Sequence, residues 1–253
     1  MPAIYLIRHG QASYGEDEYD ALSLVGVRQS ARLGAWWADR GEAFDAVYVG
    51  PRRRQIDTAR HMIDAGRGAG ADWPEPTQVE ELDELPAFEL LRHWLPILQA
   101  ESAELRDLIA TAAASGNRTA ALDVGFHFIV DRWSRGELDV PHLESFAGFR
   151  ARVERGLAQV AAGHPVAPNA DGRRPRVAVV TSGGPISIAM RLALGLGDED
   201  TLRVMGVVRN GSFSEFRGGP AAPAAASPAR RTLTMIAFNA VPHLVDKDLV
   251  TYR

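Results

Sequence analysis

Cysteine is missing altogether from this sequence, and that absence closes several chemistries at once. It leaves no disulfide framework, no thiolate metal site and no cysteine nucleophile. A chain without cysteine fits any redox compartment. Positive charge is not in excess either. Against 32 acidic residues stand 28 basic ones, a formal net charge of −4, which gives no electrostatic reason to expect nucleic acid. No run approaches the roughly 20 apolar residues of a membrane-spanning helix. The opening M-P-A-I-Y-L-I-R-H-G carries no basic leader, and Arg8 interrupts its apolar stretch too early for a secretion signal. The expectation is a cytoplasmic protein with neither nucleic acid nor membrane as partner. The sequons Asn117-Arg118-Thr119 and Asn210-Gly211-Ser212 are then chance matches. No internal repeat is present, and oligomeric state leaves no signature.

What is present alternates between strand and helix. Ala3 to Ile7 is a short apolar run of β-formers ended by Gly10, a buried strand. Residues 23–40 place Val27, Ala31, Leu33, Ala35 and Trp37 at helical spacing, with Ser23 as N-cap and Gly41 past the end. Asp45 to Val49 is a second strand, and a helix follows Gly50-Pro51 from about Arg53 to Asp64. Residues 65–76 read as a loop, and Thr77 to Leu82 as a short strand. From about 86 to 163 the pattern is helical, broken near Gly116 and Pro141, and is expected as an insertion that caps a single domain spanning 1–253. Arg176 to Val180 is the clearest strand of the second half, with a helix from about Ile186 to Leu194. Ser212 to Phe216 and Thr232 to Phe238 read as an antiparallel pair joined by a Gly-, Ala- and Pro-rich linker. Strand-helix alternation predicts a three-layer α/β/α domain with a mainly parallel sheet.

The chemistry gathers at strand ends. In L-I-R-H-G, Arg8 and His9 sit at the carboxyl end of the first strand, where open α/β sheets bind ligands. A guanidinium can hold two phosphate oxygens together, and a neutral imidazole can attack phosphorus. On spacing alone, the pair is as readily an ordinary strand end and loop. A second strand end, Y-V-G-P-R-R-R-Q-I-D-T-A, enters a helix bearing three arginines. Arg54 is placed to join Arg8 on one anion at a helix N-terminus, while Arg52 and Arg53 fit a solvated face. His61, His93, His127, His142 and His164 lack metal-ligand spacing, and Trp36, Trp37, Trp94 and Trp133 read as packing residues.

Taken in order, these segments resemble the histidine phosphatases, the phosphoglycerate-mutase-like superfamily. R-H-G at residues 8–10 is its signature, and L-S-x-x-G-x-x-Q-S at 22–30 is similar to its following helix. P-x-x-R-x-x-x-T-A at 51–59 is similar to the segment carrying its second phosphate arginine, V-E-E-L-D at 79–83 to the one carrying its acid, and V-V-T-S-G-G-P-I at 179–186 to its last strand turn. L-x-x-x-x-F-N-x-x-x-H-L at 233–244 is similar to the closing strand of one bacterial subgroup. The resemblance implies metal-independent hydrolysis of a small phosphorylated compound with no cofactor. His9 would form a phosphohistidine, Arg8 and Arg54 would neutralise the phosphoryl oxygens, and Glu81 would shuttle the proton. Glu80, Asp83 and Glu84 compete for that last role.

Two positions depart from the family pattern. Ser182, with Gly183 after it, stands where a histidine is usual, and a serine brings one hydrogen bond but no charge. Gly15 stands where asparagine is common, leaving Ser13 as its substitute and a candidate for the site edge together with His243. The departures keep two alternatives in view: a family member that binds a phosphorylated ligand with little turnover, and a phosphate mutase. A serine-hydrolase reading of Ser182 lacks the G-x-S-x-G elbow.

Overall fold

The computed structural model describes residues 2–13, 20–114, 118–163, 172–218 and 233–252. The chain folds as two compact units, one of residues 1–84 and 152–253, the other Leu85–Ala151. Gly15, the Asn117 sequon, His164 and most of the linker before the last strand lie outside the described residues.

The first unit is built on one six-stranded sheet. Its strands are β1 (Ala3–Arg8), β2 (Ala46–Val49), β3 (Pro76–Gln78), β4 (Arg176–Thr181), β5 (Phe213–Gly218) and β6 (Leu233–Ala240), in the order β3-β2-β4-β1-β5-β6. β3, β2, β4 and β1 are parallel, and β5 and β6 add an antiparallel edge. β1 and β4 are buried along nearly their whole length, as strands covered on both faces must be. On one face, Tyr5 and Ile7 of β1 join Val47 and Val49 of β2 and meet two helices, α1 (Leu24–Ala38) and α2 (Arg53–Gly68). Leu33, Trp37, Met62 and Ile63 are the helical side of this core. Trp37 packs edge-on to Tyr5 and Phe44 with ring centroids 5.8 and 5.0 Å apart, which accounts for it as a packing residue. The opposite face buries Ile4 and Leu6 completely. There the end of α6 (Phe146–Ala162) and α7 (Gly183–Leu194) lie against the sheet, which makes the unit three layers.

Ser23 caps α1 as expected, its hydroxyl accepting from the Gly26 amide at 3.1 Å, a bond worth about 1 kcal/mol. Other boundaries differ. α2 runs on to Gly68, four residues past its expected end, because alanine and arginine sustain the helix through a segment whose glycines read as loop. The stretch expected as a strand over Thr77–Leu82 is β3 followed by a 3-10 turn, Glu80–Leu82. α7 starts at Gly183 rather than Ile186, directly from the turn after β4. One helix, α8 (Asp198–Val207), has no counterpart among the elements expected from sequence.

The second unit, Leu85–Ala151, is helical. It contains α3 (Ala87–Glu101), α4 (Ala103–Ala114), α5 (Arg118–Ser134) and the first residues of α6, with Trp133 packed among Phe146 and Phe149.

Candidate active site

The carboxyl ends of the parallel strands β1, β2 and β4 bring the sequence candidates together. His9 follows β1, and its amide donates to the Thr181 carbonyl of β4 at 2.9 Å. The same strand ends tie β2 in, through Gly50 N–H to Val180 O at 3.0 Å. Past His9 the chain must run against α1. A Cβ on Gly10 would stand 2.5 Å from the Gly26 carbonyl, so glycine is required for the approach. The Thr58 hydroxyl accepts from Gly10 N–H at 3.0 Å and donates to the Arg54 carbonyl at 2.7 Å, locking the loop onto the first turn of α2.

His9 itself is 5% exposed. Its Nδ1 lies 2.7 Å from the Gly10 carbonyl, and its Nε2 lies 3.1 Å from Arg54 Nε. A carbonyl only accepts and a guanidinium only donates, so these partners assign the tautomer. Nδ1 carries the proton, and Nε2 presents its lone pair. Burial, then the positive charges of Arg54 and of Arg8, hold the His9 pKa well below its ordinary value, opposed only by the Gly10 bond. The imidazole is therefore held neutral at physiological pH.

Arg54 is 8% exposed and gives Nη1 to Asp20 Oδ1 at 2.6 Å. Asp20 Oδ2 also accepts from the Arg53 amide at 2.8 Å, at the start of α2, so one carboxylate fixes both the arginine and the helix end that bears it. Arg52 turns away to pair with Asp83 at 2.5 Å, and Arg53 pairs with Asp57 on the helix face. Arg8 donates Nη1 to the Val208 carbonyl and, at 2.9 Å, to the Tyr252 carbonyl. Its Nε is 3.9 Å from where a Cβ of Gly183 would be, so Arg8 borders the turn after β4.

That turn holds Ser182 with no solvent exposure. Its hydroxyl accepts from Gln55 Nε2 at 2.7 Å. The next amide but one, Gly184 N–H, donates to the Glu84 carboxylate at 3.1 Å. Of the four neighbouring acids, Glu84 is the one bonded to this turn. The 3-10 turn faces the Glu81 Cβ toward α6 at Gly156, and among the described residues no hydrogen bond joins the Glu81 carboxylate to the site. Glu80 bonds Gln78 and Asp83 bonds Arg52, which leaves Glu84 as the acid held at the Ser182 turn.

Three residues of the candidate site do not stand out in the sequence. Asp20 and Gln55 are two. The third, Asn210, reads there only as a chance sequon. It is fully buried, donates to the His9 carbonyl at 3.3 Å and accepts from Thr251 at 3.0 Å, so the folded chain has no room for a glycan there. Asn239, in left-handed backbone within the F-N motif, accepts from Arg209 N–H at 2.8 Å and so ties β6 to the residue before Asn210.

The remaining candidates lie outside this cluster. Among the described residues Ser13 bonds only through its amide, to the Ala21 carbonyl at 2.9 Å. His243 is 4% exposed and packs against Trp36, ring centroids 6.4 Å apart. Burial pushes its pKa down to about 4, opposed by the Gly211 backbone and assisted by Arg32. His127 is bonded to its own helix at the Asp123 carbonyl.

A family model described as histidine phosphatase superfamily (branch 1) matches residues 4–93 and 100–230. The chain belongs to this superfamily. Solved structures similar to this chain include three of low sequence identity. A mycobacterial glucosyl-3-phosphoglycerate phosphatase is 18% identical, with a TM-score of 0.59 and coverage of 95% of this chain and 99% of that one. A Bacillus anthracis phosphoglycerate mutase is 18% identical, with a TM-score of 0.56 and coverage of 96% and 95%. The α-ribazole phosphatase of Shigella flexneri is 18% identical, with a TM-score of 0.53 and coverage of 94% and 96%. No curated protein matches the sequence. No described helix is long and apolar enough to cross a membrane.

Proposed function

We propose that this histidine phosphatase hydrolyses a small phosphomonoester through a phosphohistidine on His9, without a metal. The observation that carries the reading is the His9 tautomer. Its protonated Nδ1 is engaged by Gly10 while the Nε2 lone pair faces Arg54, in a position that keeps the ring neutral. In the first step Nε2 forms a bond to phosphorus as the bond to the leaving oxygen breaks. Arg8 and Arg54 balance charge on the equatorial oxygens, supplying the positive charge that a metal would otherwise bring. Glu84, rather than Glu81, gives the leaving oxygen its proton. In the second step Glu84 takes a proton from water, the water oxygen bonds to phosphorus, and the P–N bond breaks to release phosphate and neutral His9.

The similar structures include two phosphatases and a mutase, so the leaving-group chemistry is the open choice within the family. A binding role with little turnover is favoured by one observation, the uncharged Ser182 in the turn. Trapping with a 32P-labelled aryl phosphate separates the readings. Acid-labile, base-stable label on the wild-type protein, absent from His9→Ala, is the expected result. Tight phosphate binding with no label at any time would establish the binding role.

A further inference from the structure

Gln55 is buried without solvent exposure, in the first turn of α2 and next in sequence to Arg54. A long amide side chain sealed in this place needs partners, and it has two. Gln55 Oε1 accepts from the Arg52 amide at 3.0 Å, the bond by which a residue in the third position of a helix reaches back to its cap. Because a backbone N–H only donates, this bond fixes which end of the amide is oxygen. Gln55 Nε2 must then be the end that meets Ser182, 2.7 Å away. Ser182 Oγ receives a proton from Gln55, so its own proton cannot point at Gln55. Among the described residues nothing accepts it. A fully buried hydroxyl is thus left with its donor unspent, one residue past the Thr181 carbonyl that holds His9, in a turn bordered by Arg8.

We infer that Gln55 is a positioning residue: it holds the Ser182 hydroxyl as a hydrogen-bond donor to a phosphoryl oxygen bound between Arg8, His9 and Arg54. The inference rests on the phosphoryl site proposed above. The relay runs in one direction, from Arg52 N–H to the Gln55 carbonyl, from the Gln55 amide to Ser182, and from Ser182 to the anion. Each bond polarises the next. The fold makes room for it at a definite cost. A Cβ on Gly50 would lie 2.2 Å from Gln55 Oε1 and 2.8 Å from the Leu82 carbonyl, so glycine after β2 is what lets the amide sit there.

The test is a double-mutant cycle read by calorimetry with inorganic phosphate and with vanadate, which mimics the five-coordinate transition state. The proteins are wild type, Gln55→Met, Ser182→Ala and the double variant, with melting curves to confirm folding. If Gln55 acts through Ser182, each single change weakens vanadate by about tenfold or more, and phosphate less, as for loss of one preorganised donor. The double variant is then no weaker than either single one. Gln55→Glu, which keeps the shape but lets the carboxylate take the Ser182 proton, is the second probe should Gln55→Met fold poorly. Its loss of vanadate affinity should shrink when Ser182 is already alanine. Additive losses would overturn the inference, since Gln55 would be acting by another route. Unchanged binding in both single variants, with binding abolished in Arg54→Ala, would overturn it and leave the phosphate site standing. Unchanged binding in Arg54→Ala would remove the site and the inference together.

Discussion

His243 makes this protein's stability depend on acid in a way that can be calculated and removed. The side chain is 4% exposed, burial outweighs the Gly211 backbone bond, and its pKa falls from 6.5 to about 4 in the folded chain. The unfolded chain therefore takes up a proton at this residue first as pH drops. Stability is complete above the unfolded pKa, is lost progressively from about pH 6.5 down to about pH 4, and levels off below. At 1.36 kcal/mol per pKa unit, the loss over that window is about 3 kcal/mol. His9 is shifted in the same direction and adds to the wild-type slope. The perturbation is His243→Leu, which abolishes this titration. Urea unfolding at pH 7, 6, 5 and 4 measures it, and Trp36, with its ring 6.4 Å from His243, is a local fluorescence reporter. The variant should match or exceed wild type at pH 7 and lead it by about 3 kcal/mol at pH 4. Carboxylates are common to both proteins and cancel in the difference. Parallel profiles over the whole range would show that His243 is protonated in the folded state and that its burial does not suppress the charge.

The site offers three further comparisons. Arg54→Ala should abolish the rise in melting temperature that phosphate or vanadate produces, while Arg52→Ala, whose guanidinium is engaged by Asp83, should leave most of it; equal losses would mean that the wrong arginine was assigned. Glu84→Gln should lower kcat on a phosphomonoester with a poor leaving group by about 10²–10⁴ and Glu81→Gln by far less, and the reverse ranking in steady-state assays would return the proton to Glu81. Ser182→His alone should fail to raise kcat, because Gln55 lies against the Ser182 hydroxyl where the ring would go, whereas Ser182→His combined with Gln55→Ala should accelerate an aryl phosphate; a faster single variant would show that the space is open.

Much of this is legible in the sequence because its causes are local. β1, β2 and β4 declare themselves by short apolar runs, α1 by the spacing of its apolar residues and by Ser23, and R-H-G lands at a strand end because Gly10 stops the strand. α8 is the exception, since its signal is present but ambiguous. Gly197 at the cap and Asp198, Glu199 and Asp200 in the first turn are the usual opening of a helix, yet the same residues after Gly195 also read as an acidic loop. The acid at the site cannot be chosen by counting, since the 3-10 turn at Glu80–Leu82 decides which of four neighbouring carboxylates points where. Gln55 is unreadable for a different reason. Its partner Ser182 is 127 positions away, and only the parallel register of β2 with β4 brings the two together.

The charges at the site bear on what it binds. Arg8 and Arg54 bring two positive charges, but Asp20 already neutralises part of Arg54 through a 2.6 Å contact, and Glu84 places a carboxylate on Gly184 N–H in the neighbouring turn. His9 is neutral, and Ser182 adds a donor without a charge. In the proposed reading a phosphoryl dianion thus meets two arginines whose charge these carboxylates partly offset. In that reading one of its oxygens is met by a neutral donor, the Ser182 hydroxyl. In this reading the loss of a cationic side chain from the turn does not disable the pocket. It makes the Gln55–Ser182 pair the means of keeping a donor aimed where no cation stands.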